Sequence, residues 1–141
     1  MFEAEKKIVY IGSDHLGHKL KNELKEYFDS IGFQFIDLGC FSKEDCKYDM
    51  IAREVSEKVY ENKDSMGLLV CGSGTGMCMA ANKHIGIRAA SVITPELAKY
   101  ARAHNDANIL CLGARFIDEV VAREAAKIFF VPLSVMSFPF Y

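Results

Sequence analysis

Five short apolar runs recur along this chain, and each is followed by a segment with helical periodicity. The runs are Lys7–Gly12, Phe33–Leu38, Met66–Cys71, Ile87–Ile93 and Asn108–Gly113, all of strand length. Met66–Cys71 is apolar almost throughout, the pattern of a strand buried on both faces. Between the runs, residues 16–31 put Leu16, Leu20, Leu24, Tyr27 and Ile31 on one helical face, and Gly32 supplies a stop. Asp49–Lys63 repeats Ile51, Val55 and Val59 at steps of four, and Thr75–Lys83 is a short helix rich in Met and Ala. Thr94-Pro95-Glu96 opens a fourth helix, with threonine as cap and proline at the first position, that runs to about His104. Asp118–Phe130 is the fifth. Parallel strands need a crossover between them, and helices supply it. The sequence therefore predicts an α/β chain with a three-layer Rossmann-like fold: a five-stranded parallel sheet with helices on both faces.

At 141 residues, with no linker, repeat or low-complexity segment, the chain reads as one domain over residues 1–141. Within it, 131–141 is an apolar tail carrying Phe138, Phe140 and Tyr141, predicted to pack on a partner subunit. Net charge is −2, with Lys and Arg spread along the chain, so neither nucleic acid nor an anionic membrane is expected as a partner. No apolar run is long enough to span a bilayer. Met1–Lys7 has mixed charge and does not read as a signal peptide, which predicts a cytoplasmic protein. The five cysteines are odd in number and lack zinc-ligand spacing, so reduced thiols and no metal are expected. Cys78 and Cys111 read as packing.

The chemistry concentrates in Leu68–Met77, where an apolar run ends in Cys71 and glycine follows at every second position. In open α/β sheets, ligands sit beyond the carboxyl ends of the strands. Cys71 is thus placed at a site mouth, as a nucleophile, a proton carrier or packing, beside a loop whose backbone N–H groups can face an anion. Gly72, Gly74 and Gly76 do not form a nucleotide P-loop, which needs a Gly-Lys-Ser/Thr ending. No arginine follows Cys71 to cradle a phosphoryl group, so phosphatase chemistry is set aside. Asp14 and His15 leave the first strand, which neighbours the third at the switch point and carries them toward Cys71. The alternative for Asp14 is a helix cap. His104 and Asn105 end the fourth helix, either as a cap or as site residues. Arg115 leaves the fifth strand, as a surface charge or a forked anion binder. His18 reads as a solvated helix position.

Five segments in order resemble the ribose-5-phosphate isomerase B family, relatives of the galactose-6-phosphate isomerase subunits. They are Gly12-Ser-Asp-His-Leu-Gly17, Val70-Cys-Gly-Ser-Gly-Thr-Gly-Met77, Ala80-Ala-Asn-Lys83, Gly86-Ile-Arg-Ala-Ala90 and His104-Asn-Asp-Ala-Asn-Ile-Leu-Cys-Leu-Gly-Ala-Arg115. The resemblance covers about residues 7–130 and implies interconversion of ribose 5-phosphate and ribulose 5-phosphate with no metal or organic cofactor. It implies that Cys71 moves a proton between C1 and C2, and that Gly72, Ser73, Gly74, Thr75 and Gly76 hold the enediolate. His104 would open the furanose ring with Asp14 assisting, Asp14, His15, Tyr48 and Asn105 would contact substrate, and Arg115 would bind phosphate. It further implies a homodimer, or a dimer of dimers, with shared sites.

Two departures stand out. The family carries Tyr-Pro-Asp-Tyr before the second helix, where this chain has Tyr48-Asp-Met-Ile51. The family tail carries Gly-Gly-Arg-His and further arginines, whereas Ser134–Tyr141 has no Arg, Lys or His. These keep two other readings open: isomerisation of another sugar phosphate, such as allose 6-phosphate, and a non-catalytic sugar-phosphate-binding protein.

Overall fold

The computed structural model describes residues 8–41 and 46–131. Its elements alternate: β1 (Ile8–Ser13), α1 (His18–Ser30), β2 (Phe35–Asp37), α2 (Tyr48–Glu61), β3 (Ser65–Cys71), α3 (Thr75–Ala81), β4 (Ala89–Ser91), α4 (Pro95–Ala103), β5 (Ile109–Gly113) and α5 (Glu119–Phe130). The five strands form one sheet in the order β2-β1-β3-β5-β4, and every pairing is parallel. Helices α1, α4 and α5 cover one face, and α2 and α3 the other. The expected three-layer fold is the observed one. None of the described helices is long and apolar enough to cross a membrane.

The central strands show why the layers form. In β3, Leu68 and Val70 point to the α1/α4/α5 face, while Leu69 and Cys71 point to the α2/α3 face, and all four are buried. In β5, Leu110 and Leu112 alternate with Ile109 and Cys111 in the same way. Side chains alternate with period two along a strand, so an unbroken apolar run feeds two cores. The first core gathers aromatic rings around Phe28: Phe33, Phe35 and Phe130 have centroids 5.3, 5.3 and 6.2 Å from it.

Helix 1 departs from expectation in phase. Its buried positions are Leu20, Lys21, Leu24 and Phe28, whereas Leu16 and Ile31 are exposed. The reason is the turn before it: Gly17 N–H donates to the carboxylate and the carbonyl of Asp14, so the helix begins at His18. At the other end Gly32, at φ +87°, reverses the chain, and Phe33 N–H donates to Phe28 O. Phe33 is therefore packed beneath the helix end rather than paired in β2, which shortens that strand. Thr94 caps α4 through Leu97 N–H, with Pro95 at the first position, as the sequence predicts.

The expectation of five reduced thiols fails at one pair. Cys40 and Cys46 form a disulfide, because the end of β2 and the start of α2 place their Cα atoms 6.0 Å apart. The predicted packing of the 131–141 tail lies outside the described residues, apart from Val131, which is buried at the end of α5.

Candidate active site

The site grows out of the strand register. Ser13 lies opposite Val70, and Cys71 opposite Gly113. Asp14, the Gly72 loop and Arg115 therefore leave the sheet side by side. From there α1 turns to one face and α3 to the other. Where neighbouring strands send their helices to opposite faces, a crevice opens at their carboxyl ends. Here it is a cleft of about 470 Å³ lined by Asp14, Leu16, Tyr48, Cys71, Gly72, Ser73, Gly76, Arg115 and Phe116.

Cys71 is buried at the last position of β3, and its sulfur accepts a hydrogen bond from Gly74 N–H at 3.2 Å. Gly74 has φ +81° and precedes α3, so the loop curls back over the thiol. Ser73 is exposed, and its Oγ accepts from Thr75 N–H. The loop is laced to the β5 exit: Ala114 N–H donates to Cys71 O, and Arg115 N–H to Gly72 O. Gly113 sits so close that a methyl group there would lie 2.4 Å from the carbonyl carbon and oxygen of Ser73. Gly113→Ala is thus expected to displace the loop at a cost of about 1–3 kcal/mol, the usual penalty for overpacking. A denaturation midpoint unchanged from the parent protein would contradict this contact.

Asp14 is buried and accepts from Gly17 N–H through Oδ1, so it orders the turn while lining the cleft. Both sequence readings of Asp14 hold in part: it braces the start of α1 without being its cap, which is Gly17. Tyr48, the first residue of α2, lays its ring against Gly76 and forms the opposite wall. Arg115 is exposed at the rim. These groups gather a thiol, a carboxylate, a hydroxyl, a phenol, a guanidinium and a set of backbone donors in one crevice. That combination suits proton transfer on a small polar anion.

A buried ion pair holds the floor from behind. Lys21, fully buried, donates to Asp37 Oδ1 at 2.9 Å and to Cys40 O at 2.6 Å. Asp37 also accepts from Gly39 N–H and from Lys25. Burial alone would raise the Asp37 carboxyl, but the hydrogen bonds from Lys21, Gly39 and Lys25 hold it below its ordinary value. Burial is likewise the largest influence on Lys21, and it pushes that ammonium down despite Asp37. The pinned segment pairs with the end of β1: Ser13 N–H donates to Gly39 O, and Cys40 N–H to Ser13 O. Lys21 and Asp37 thus fix the backbone from which Asp14 projects.

Not every predicted residue joins the cleft. His15 is exposed and outside the cleft lining, although it neighbours Asp14. His104 is the C-cap of α4, its ring edge-on to Tyr100, and Asn105 lines a separate cavity of about 360 Å³ beside Arg88. Both precede β5, whereas Cys71 is level with its last residue, so they lie at the opposite end of the sheet, at least ~13 Å away along the strand. His18 pairs with Asn22 along α1. Leu16 and Phe116, which sequence reading did not assign to the site, supply apolar walls. Phe116 follows Arg115 at a strand exit, and that position was the available signal. Periodicity puts Leu16 on the helix core face because it cannot show the Asp14–Gly17 turn that contains it.

Known proteins resemble this chain closely. The family model described as Ribose/Galactose Isomerase matches residues 9–132. The ribose-5-phosphate isomerase B of Escherichia coli (strain K12) is 40% identical over 122 residues, covering 86% of this chain and 78% of that protein. The crystal structure of a ribose 5-phosphate isomerase from Thermotoga maritima superposes with a TM-score of 0.85 at 38% identity, covering 87% of this chain and 85% of the other. The ribose-5-phosphate isomerase B of Mycoplasma genitalium, solved with bound ribulose-5-phosphate, gives a TM-score of 0.82 at 38% identity and covers 86% and 82%.

Proposed function

This chain belongs to the ribose/galactose isomerase family, and on that premise we propose that it interconverts ribose 5-phosphate and ribulose 5-phosphate through a cis-enediolate, with Cys71 as the base. It is an aldose–ketose isomerase. The observation that carries the reading is the placement of the Cys71 sulfur under the Gly72–Gly76 loop, inside the cleft that Asp14 and Arg115 share.

Cys71 takes the C2 proton of the open-chain aldose and returns it to C1. The electron pair left behind becomes an enediolate, and its charge must be met as it develops. Backbone N–H groups of the loop meet it, with Ser73 at the sugar oxygens. Arg115 takes the phosphate through its planar fork, a geometry that suits two oxygens at once. Asp14, already oriented by Gly17, faces the sugar hydroxyls. Ring opening needs a separate acid and base, and imidazole exchanges protons near neutral pH. His104 fills that role, with Asn105 beside it.

Because His104 stands at the far end of its own sheet, the His104 that serves one cleft comes from a second copy of the chain. The working unit is a homodimer, or a dimer of dimers, in which each copy gives its cleft and lends its α4 end. Two measurements test this. His104→Ala should lose far more rate on cyclic ribose 5-phosphate than on an open-chain analogue, and equal losses would refute the ring-opening role. Mixing Cys71→Ala chains with His104→Ala chains under exchange should restore about a quarter of wild-type activity, since half the dimers are mixed and each carries one intact site. No recovery would refute sharing. A panel of sugar phosphates that includes allose 6-phosphate, compared by kcat/KM, tests the substrate; a preference for a hexose phosphate would replace the pentose reading.

A further inference from the structure

The isomerase reading gives no task to Gly86-Ile-Arg-Ala-Ala90, a segment that carries part of the family resemblance. Its arginine, Arg88, is exposed and stands just ahead of β4. Ala89 pairs with Ile109, the first residue of β5. Arg88 therefore lies beside Asn108, at the end of the turn that carries His104 and Asn105.

The backbone of Arg88 is locked to that turn. Its N–H donates to Asn108 Oδ1 at 2.9 Å, and its carbonyl accepts from Asn108 N–H at 2.9 Å. Asn108 Nδ2 donates in turn to Gly86 O at 2.9 Å. From this anchored base the Arg88 side chain reaches back, and its Nε donates to Asn105 O at 2.6 Å. The turn is one that needs holding. Asp106 has φ +50°, a left-handed conformation that few residues other than glycine adopt. From the helix side, Arg102 Nη1 donates to Ala107 O at 2.6 Å and to Asp106 Oδ1 at 3.3 Å. Two guanidinium groups from different elements thus clamp the carbonyls of residues 105 and 107. The side chains of His104 and Asn105 remain exposed.

A helix end with exposed side chains ordinarily frays. An acid–base group delivered to another subunit's cleft has to arrive in one pose, because small misplacements of reacting groups are costly in rate. A charge-assisted bond to a backbone carbonyl is a strong way to impose that pose. We propose that Arg88 is a positioning residue for ring opening: its Nε–H bond to Asn105 O holds the His104–Asn105 turn in the pose that a second copy's cleft receives. This rests on the shared-site reading of His104. Arg88 itself touches neither the sugar nor the phosphate.

Two substitutions isolate the bond. Arg88→Met keeps the stem and ends in a methyl group where Nε stands. Arg88→Gln puts an amide N–H donor at the same distance along the chain, without the charge. Arg88→Met is expected to lose about 10–10²-fold in kcat on cyclic ribose 5-phosphate, the scale of a misplaced reacting group. KM and melting temperature should stay near those of the parent protein. On the open-chain analogue that lacks the C4 hydroxyl the loss should be much smaller. Arg88→Gln should stay close to the parent rate on both. Mixed with Cys71→Ala chains, Arg88→Met should recover to about a quarter of wild-type activity, and mixed with His104→Ala chains it should recover nothing. Parent-like activity of Arg88→Met would overturn the proposal, as would equal losses on the two substrates or recovery with His104→Ala. Arg88→Gln as slow as Arg88→Met would overturn it too, by making the guanidinium charge, not the brace, the active feature. Mixing Cys71→Ala with His104→Ala is the control. If that mixture stays dead, the shared site itself falls; if it recovers, any failure belongs to Arg88 alone.

Discussion

Cys71→Ala is expected to lower kcat on ribose 5-phosphate by about 10²–10⁴-fold, the span that a positioned general base contributes. KM should change little, because the Gly72–Gly76 loop, Asp14 and Arg115 remain to bind the sugar. The loop itself should stay in place, since Ala114 and Arg115 hold it through the backbone carbonyls of residues 71 and 72. Far-ultraviolet circular dichroism and the melting temperature check that the fold survives. Exchange of solvent deuterium into the C1/C2 positions of the product reports the proton transfer directly, and Cys71→Ala should abolish it. A variant within ten-fold of the parent rate would remove Cys71 from the chemistry and leave it as packing.

Asp37→Ala is expected to produce the largest loss of stability, about 3–5 kcal/mol, because it strands the buried Lys21 ammonium without its carboxylate. For a chain of this length that corresponds to a fall in melting temperature of about 10–17 °C. Replacing both partners together, Lys21→Met with Asp37→Leu, should recover most of it, since an apolar pair of similar volume needs no charge compensation. A double variant as unstable as Asp37→Ala would show that the loss came from packing instead. The pH dependence has a definite sign. The Asp37 carboxyl is held below its ordinary value of 3.8, so its stabilisation is present above that pH and disappears as pH falls through the lower, folded value. Acid unfolding of the parent chain should steepen below about pH 3.8, and Asp37→Asn should flatten that limb. A limb of the same slope in Asp37→Asn would assign the acid transition to other carboxylates. Because Gly39 and Cys40 pair with Ser13, the same substitution should also loosen Asp14.

The layered architecture was legible because its strongest signals are local. Leu68–Cys71 is apolar at every position, so it had to lie between two covered faces, and Thr94-Pro95 is a helix start by its own chemistry. What the sequence hid depends on contacts between distant residues. Lys21 looks like a solvated helix position, and its burial follows from an Asp37 that arrives 16 residues later. The Cys40–Cys46 disulfide could not be read from cysteine counting, because it depends on how closely the ends of β2 and α2 approach. The cleft was largely readable, since Asp14, Cys71 and Arg115 all leave the ends of neighbouring strands. The position of His104 was readable too, by an argument from polarity. A crossover helix runs against its strands, so its last turn must lie at their amino ends, away from the cleft.

Both outer strands, β2 and β4, are three residues long. An open sheet ordinarily offers its rim to any extended chain, and short rims are one way that proteins blunt this hazard. So little free peptide edge remains here that another strand gains few hydrogen bonds by joining. Growth by strand addition, the route to fibrils and to promiscuous pairing, is therefore poorly rewarded. Assembly must instead be written in side chains, where shape and charge distinguish one partner from another. A sheet that refuses extension leaves association to surfaces that selection can tune residue by residue.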